Sequence, residues 1–150
     1  MVLATVDLFP PDESRAKSAV RLLVAAAMTA VGVLHFTHQA DFEAIVPDYL
    51  PAHALLVQIS GACEIAGGLG LLVAPVRRAA AWGLVLLYLA VFPANVNMAL
   101  HHLSLGGTEV SSFALWARLP FQVLFIVVAV WLATTRRRES SGKMASKNQR

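Results

Sequence analysis

Leu55-Leu-Val-Gln-Ile-Ser-Gly-Ala-Cys-Glu-Ile-Ala-Gly-Gly-Leu-Gly-Leu-Leu-Val-Ala74 holds one charged residue, Glu64, in an otherwise apolar and small-residue run. A helix crossing ~30 Å of hydrocarbon at 1.5 Å per residue needs about 20 apolar residues, so this run has the length of one crossing. Three more runs of the same kind surround it. Residues 20–36 precede it, with Arg21 at the start, and residues 79–100 follow it without a charge. Residues 119–135 form the last, extended backwards through residues 113–118. A membrane barrel would show short alternating segments instead of continuous runs. The expected fold is therefore all-α, a bundle of four transmembrane helices.

Composition agrees. The 150 residues suffice for one compact domain. They are 57% hydrophobic and 14% charged, where a soluble domain carries roughly 25% charged residues. A single cysteine, Cys63, excludes an internal disulfide. The formal charge of +3 does not mark a nucleic-acid partner, because the basic residues flank apolar runs and form no separate stripe.

Their placement gives direction. Arg15, Lys17 and Arg21 precede or open the first run, Arg77 and Arg78 separate the second from the third, and the rest follow the fourth. Eleven of the twelve basic residues thus fall on one side, while residues 39–51 and 101–114 have none. Cationic loops resist translocation, so that side is cytoplasmic and both termini lie there. Residues 1–17 read as a cytoplasmic segment, 18–135 as the transmembrane domain, and 136–150 as a basic, Ser-rich cytoplasmic tail expected to be disordered. The first run is read as a retained span of the bacterial inner membrane, since acids lead it and no small-residue cleavage site follows.

The polar residues are not spread evenly. Gln58, Ser60 and Glu64 fall in the outer half of the second run, Asn95 and Asn97 near the outer end of the third, and Arg118 and Gln122 in the first turns of the fourth. All five histidines, including His35 and His53, lie on the same outer side, and the inner halves are almost purely aliphatic. This asymmetry predicts a polar pocket opening toward the periplasm. Glu64 lies about eleven residues from the outer end, or ~16 Å, close to the midplane. A carboxylate there costs several kcal/mol unless neutral or paired. Gln58, Gly61, Glu64, Ile65 and Gly68 share one ~120° arc, which turns the acid toward packed helices along small residues. Arg118 and Gln122, four apart, share a face.

Two roles fit Glu64 and Arg118: an ion pair that locks the bundle, or a ligand and proton site. For Gln58, Asn95 and Gln122 the choice lies between ligand contacts and interhelical hydrogen bonds. Pro93 and Pro120 each remove a backbone bond, freeing the carbonyls of Leu89 and Trp116. Pro51 is placed to open the second helix, and Tyr49, Trp116 and Phe42 suit the headgroup belt. His35 with His38, and His101 with His102, are residue types that bind haem or a metal with help from Asp41 or Glu43. None has the spacing of a tight ligand motif, so no metal or haem site is assigned.

Five ordered blocks carry a family resemblance: Gly32-Val-Leu-His-Phe36, Val46-Pro-Asp-Tyr-Leu-Pro51, Ser60-Gly-Ala-Cys-Glu-Ile-Ala-Gly-Gly68, Val91-Phe-Pro-Ala-Asn95 and Trp116-Ala-Arg-Leu-Pro-Phe-Gln122. Over residues 18–135 the chain resembles the DoxX-like family. The resemblance implies a four-helix membrane bundle with key positions at His35, Glu64, Asn95, Arg118 and Gln122. It also implies association with quinone-linked redox systems or with maturation of their subunits. The sequence has no nucleotide loop, flavin fingerprint or cysteine pair that would make a complete oxidoreductase.

Two functions are expected. The first is an accessory subunit of a quinone-linked redox system, with Glu64, Arg118 and His35 as catalytic candidates and Gln58, Asn95, Gln122 and Trp116 as ligand contacts. The second is a non-catalytic chaperone or assembly factor whose small face of Ala62, Ala66 and Gly70 docks a partner protein. Besides the bilayer, a membrane redox partner or a second copy is the expected partner. Transport would need an oligomer, since no repeat is visible. The direction of the chain is testable: a fluorescent protein fused after Arg150 should fold and fluoresce, and alkaline phosphatase fused within residues 104–110 should be active. The reverse pattern would invert the assigned topology.

Overall fold

A computed structural model describes residue 6, residues 13–103 and residues 111–134. The expected basic tail, residues 136–150, and most of the N-terminal segment lie outside the described residues. The chain forms α1 (Arg15–Thr37), a short α2 (Gln39–Glu43), α3 (His53–Leu72), α4 (Arg77–Leu100) and α5 (Ser112–Ala133). Helices α1, α3, α4 and α5 are each long and apolar enough to cross a membrane. Between 17% and 33% of their most apolar windows is buried within the protein, so the remaining apolar surface needs a nonaqueous solvent. The protein is an all-α, multi-pass membrane protein.

Local chemistry sets the helix ends. The Ser14 side chain accepts a hydrogen bond from the Lys17 N–H at 3.2 Å, which starts α1 ahead of its apolar run. Ser111 caps α5 in the same way, accepting from the Ala114 N–H at 3.3 Å, and so draws residues 113–118 into that span. Helix α3 corrects an expectation. It begins at His53, after Ala52 in the left-handed region at φ 55° and ψ 51°, so Pro51 belongs to the preceding turn. At the arginine end of the bundle, Arg77 Nε donates to the Leu71 carbonyl at 2.9 Å and Lys17 Nζ to the Trp131 carbonyl at 2.7 Å. Both carbonyls lie in last turns, where no intrahelical donor remains.

The backbones of α1 and α3 touch. A Cβ at Gly61 would stand 2.6 Å from the His35 Cβ, and one at Gly68 would stand 2.8 Å from the Ala25 carbonyl oxygen. Helices within lipid gain little by hiding apolar surface, so close van der Waals approach is what holds them together. The contact places His35 level with Gly61, while α3 runs on to His53, ~12 Å further at 1.5 Å per residue. Helix α2 and the following loop fill that space, burying Ile45, Val46 and Pro47.

Two apolar cores result. The larger, at the arginine end, joins Val24 and Met28 of α1, Leu71 of α3, Leu84 and Tyr88 of α4, and Leu132 of α5. The smaller, at the histidine end, joins Ile45, Met98, Ala99 and Leu115. It is pinned where Asn97 Nδ2 donates to the Ile45 carbonyl at 3.1 Å. Gly83, by contrast, has no atom within 4 Å of where its Cβ would be. Gly68→Val should therefore destabilise the detergent-solubilised protein by ~1–3 kcal/mol or more, as overpacking does. Gly83→Ala should leave the melting temperature unchanged or raise it slightly. Equal melting temperatures for the two variants would refute the α1–α3 contact.

Candidate functional site

Between the two cores lies a cavity of about 1260 Å³, larger than the ~300–1,000 Å³ common for ligand pockets. Its polar lining is His35, Ser60, Glu64, Asn95, Arg118 and Gln122, with Tyr88 and Cys63; most of the remaining wall is aliphatic or aromatic. Five of the seven residues expected at the site thus meet at one cavity. Gln58 and Trp116 do not line it. Gln58 is exposed and donates to Gln39 Oε1 at 3.2 Å, one step of a rim chain in which Gln39 donates to Glu43 at 2.6 Å. Trp116 is 49% exposed on the outside of α5.

The partner of Glu64 differs from expectation. No Glu64–Arg118 ion pair forms; the titratable group beside Glu64 is His35, whose Nδ1 stands 3.2 Å from Glu64 Oε2. That nitrogen is also 3.0 Å from the Val31 carbonyl, one turn back in α1. A ring N–H aimed at Val31 cannot also serve the carboxylate, and Glu64 Oε2, although buried, accepts no hydrogen bond. The His35 ring is held in place by stacking on Phe42, with centroids 3.9 Å apart. Arg118 points elsewhere. Among the described residues its only partner is Met98, whose sulfur accepts from Nη1 at 3.3 Å, and a thioether is a weak acceptor. The cavity is therefore lined by a carboxyl group whose Oε2, turned to His35 and shut off from solvent, lacks a donor, and by a guanidinium with donors to spare.

Asn95 and Gln122 tie α4 to α5. Asn95 Nδ2 donates to Gln122 Oε1 at 2.8 Å, and Gln122 Nε2 donates to the Tyr88 carbonyl. Pro93 was expected to free the Leu89 carbonyl, and the side chain instead takes the carbonyl one residue earlier, in the same disturbed turn. The Asn95 side-chain oxygen remains as an acceptor on the cavity wall. Tyr88, which sequence reasoning passed over, donates to the Met28 sulfur at 2.9 Å and lines the cavity partway along α4. A lone hydroxyl in a charge-free span was the available signal.

The cavity does not open where the pattern of polar residues suggested. Phe42, Ile45, Val46 and Leu50 line it from the loop side, and Ile45 and Val46 are 7% and 8% exposed, so the histidine end is roofed. Exposed lining residues lie along the sides of the bundle instead: Ile59, Cys63 and Ala66 on α3, Gly83, Leu86 and Ala90 on α4, and Leu34, Phe121 and Phe125 on α1 and α5. Gly70 of the expected docking face packs on Ala80 of the same chain, where a Cβ would stand 2.7 Å from the Ala80 Cβ. The five histidines do not converge, and no three His, Cys, Asp or Glu side chains among the described residues are grouped as a metal ion requires.

A second buried polar cluster sits at the arginine end. Arg21, fully buried, pairs with Glu13 at 2.6 Å, and Ser18 donates to the same oxygen at 2.9 Å. Lys17 lies 4.9 Å over the Trp131 ring. These residues were read as topology signals alone; they also bind α1 to the segment before it and to α5.

Residues 24–133 match a family described as a domain of unknown function, DUF8561. The chain belongs to that family. The DUF8561 match takes in every cavity residue named above and leaves Glu13, Lys17 and Arg21 outside it. No curated protein and no solved structure gives a significant match.

The geometry separates a lock from a site. A Glu64–Arg118 lock would make Arg118→Gln cost ~3–5 kcal/mol, as loss of one partner of a buried pair does. With Met98 as its partner, Arg118→Gln should cost less than about 1 kcal/mol. Gln122→Leu, which strips both Asn95 and the Tyr88 carbonyl of partners, should cost ~1–3 kcal/mol. Thermal melts of both variants would decide, and a more damaging Arg118→Gln would restore the lock.

Proposed function

We propose that this DUF8561 protein of the bacterial cytoplasmic membrane binds a quinone, or a lipophilic molecule of similar head chemistry, in the cavity between its helices, as an accessory subunit of a quinone-linked redox system. The observation that carries the reading is Glu64, which lines a large and mainly apolar cavity and whose buried Oε2 accepts no hydrogen bond. A buried acceptor left unsatisfied costs ~1–3 kcal/mol, and more for a charged group. A ligand hydroxyl would remove that cost. Arg118, with one weak protein partner, would donate to a carbonyl, and His35 would fix the rotamer of Glu64. In the reduced ligand the hydroxyl proton faces Glu64, which makes that carboxylate the group through which a proton would enter or leave. The reading also takes up the DoxX-like resemblance, whose implied positions are the cavity residues.

Cytoplasmic termini belong to the same proposal and rest on the distribution of Lys and Arg. Assembly-factor activity has less support, because Gly70 of the face assigned to it is already covered by Ala80. The experiment is to solubilise membranes gently, purify the protein, and identify by mass spectrometry what accompanies it. A quinone at near one per chain is expected, reduced at least about tenfold in Glu64→Gln, the equivalent of ~1.4 kcal/mol. Quinol-linked electron transfer should fall in membranes lacking the protein and be restored by wild type but not by Glu64→Gln. A stoichiometric protein with no small molecule, and full activity without the chain, would refute the reading.

A further inference from the structure

The cavity has a part that the head-group residues do not explain. Along α4 its lining runs from Val76 to Asn95, ~28 Å at 1.5 Å per residue. The polar cluster occupies only the end nearer Asn95. The remainder is a groove that runs over the α3–α4 contact, where Gly67 meets Leu84 and Gly70 meets Ala80, and is walled by small residues, Ala66, Gly67 and Gly70 on one side and Ala79, Ala80 and Gly83 on the other. At Gly83 no atom lies within 4 Å of where a Cβ would be. The opposite flank of the cavity, toward α1 and α5, is lined by the bulky Leu34, Phe121 and Phe125.

The groove meets a buried acceptor. Glu64 is 8% exposed and its Oε2 accepts no hydrogen bond. The roof of Phe42, Ile45 and Val46 covers the histidine end, so the cavity opens sideways: past the exposed Ile59 and Cys63 of α3 and Ala90 of α4 on the side with small-residue walls, and past the exposed Leu34 and Phe121 on the flank with bulky ones.

On the reading that the cavity holds a ligand, we infer that the ligand is a tailed amphiphile that enters from the bilayer between α3 and α4, its polar head at Glu64 and its hydrocarbon tail along the groove beside Gly83. The head chemistry alone would fit many small molecules. The groove length, the small-residue walls and the roof select one that is already dissolved in the membrane. A water-borne solute would have to pass the buried Ile45 and Val46. A tail in the groove gains contact on both walls, the same packing attraction that associates helices in lipid.

Gly83→Phe tests this, since the added ring meets no protein atom at its root and should fill the groove without unfolding the bundle. The probes are decylubiquinone and its tail-less head, 2,3-dimethoxy-5-methyl-1,4-benzoquinone, both kept in their reduced, hydroquinone forms and bound to the full chain in nanodiscs. Gly83→Phe should weaken decylubiquinone at least about tenfold while leaving the tail-less head unchanged. Leu89→Phe, at an exposed position of α4 outside the cavity lining, serves as the folded control and should bind both as wild type does. Unchanged decylubiquinone affinity in Gly83→Phe would overturn the tail assignment and leave the quinone reading standing. Loss of a dimer in Gly83→Phe with decylubiquinone affinity retained would overturn it too and give the groove to a second copy. If neither quinone binds wild type but a ten-carbon monoacylglycerol does, and Gly83→Phe abolishes that binding, the quinone reading fails and the tail groove survives. No binding of any of the three by wild type refutes both.

Discussion

The backbone contact between α1 and α3 organises most of what is polar in this protein. Gly61 and Gly68 let the two helices approach until a Cβ at either position would collide with the neighbour. In lipid such an approach is worth more than additional apolar surface, because the tails outside are as apolar as leucine. The same contact fixes the relative height of the two helices. His35 comes to rest beside Glu64, and α1 ends well below the start of α3. The space above α1 must then be filled by chain that is not a spanning helix, and α2 with its buried loop supplies it. One steric fact thus produces the histidine–carboxylate pairing, the roof and the depth of the cavity beneath it.

Helices α3 and α4 are related differently. They touch near the arginine end, where Gly67 meets Leu84 and Gly70 meets Ala80. Toward the histidine end the pair lines the cavity with exposed residues instead. The bundle is therefore firm at one end and parted at the other. The firm end carries the larger core and the buried Arg21–Glu13 pair. Such buried pairs are weak contributors to stability in themselves, yet costly to break. Their placement keeps α1, α5 and the preceding segment in register while the far half retains its cavity.

Much of this was legible in the sequence, and the reasons differ by residue. Four spans follow from hydropathy and length, which depend on the solvent and not on detailed packing. The convergence of Glu64, His35, Asn95, Arg118 and Gln122 follows because polar groups in hydrocarbon must turn toward one another. What failed was pairing. Opposite charges suggested Glu64 with Arg118, but helix height, set by the glycines, brought His35 there first and left Arg118 against Met98. Gln58 shares the helical arc of Glu64 yet sits above the end of α1, where the inward face has become a rim. The roof was invisible because residues 39–51 stand out in the sequence only as an outer loop without Lys or Arg, and burial of a loop depends on the space left by its neighbours. Lys17 and Arg21 satisfied a topology rule so well that their buried contacts left no separate trace.

The His35–Glu64 contact then bears on why the pair is more than a lock. A histidine that locked a carboxylate would direct its N–H at the oxygen, and the pair would be closed to anything else. Here the nearest alternative acceptor is the Val31 carbonyl, fixed by the helix itself, and the ring is held by Phe42 stacking. The imidazole therefore stands against the carboxylate without satisfying it. Arg118 could satisfy it only by leaving Met98, with its backbone anchored in α5 across the cavity. A structure built solely for stability would not leave a carboxylate at mid-bilayer depth in this condition, since an apolar residue of similar volume would serve better. The cost is understandable if the missing donor arrives with a ligand, because binding then recovers what folding gave up. On the proposed reading that exchange ties the polarity of the cluster to the apolar groove beside it: the groove would select a molecule from the membrane, and the carboxylate would select among those molecules for a hydroxyl.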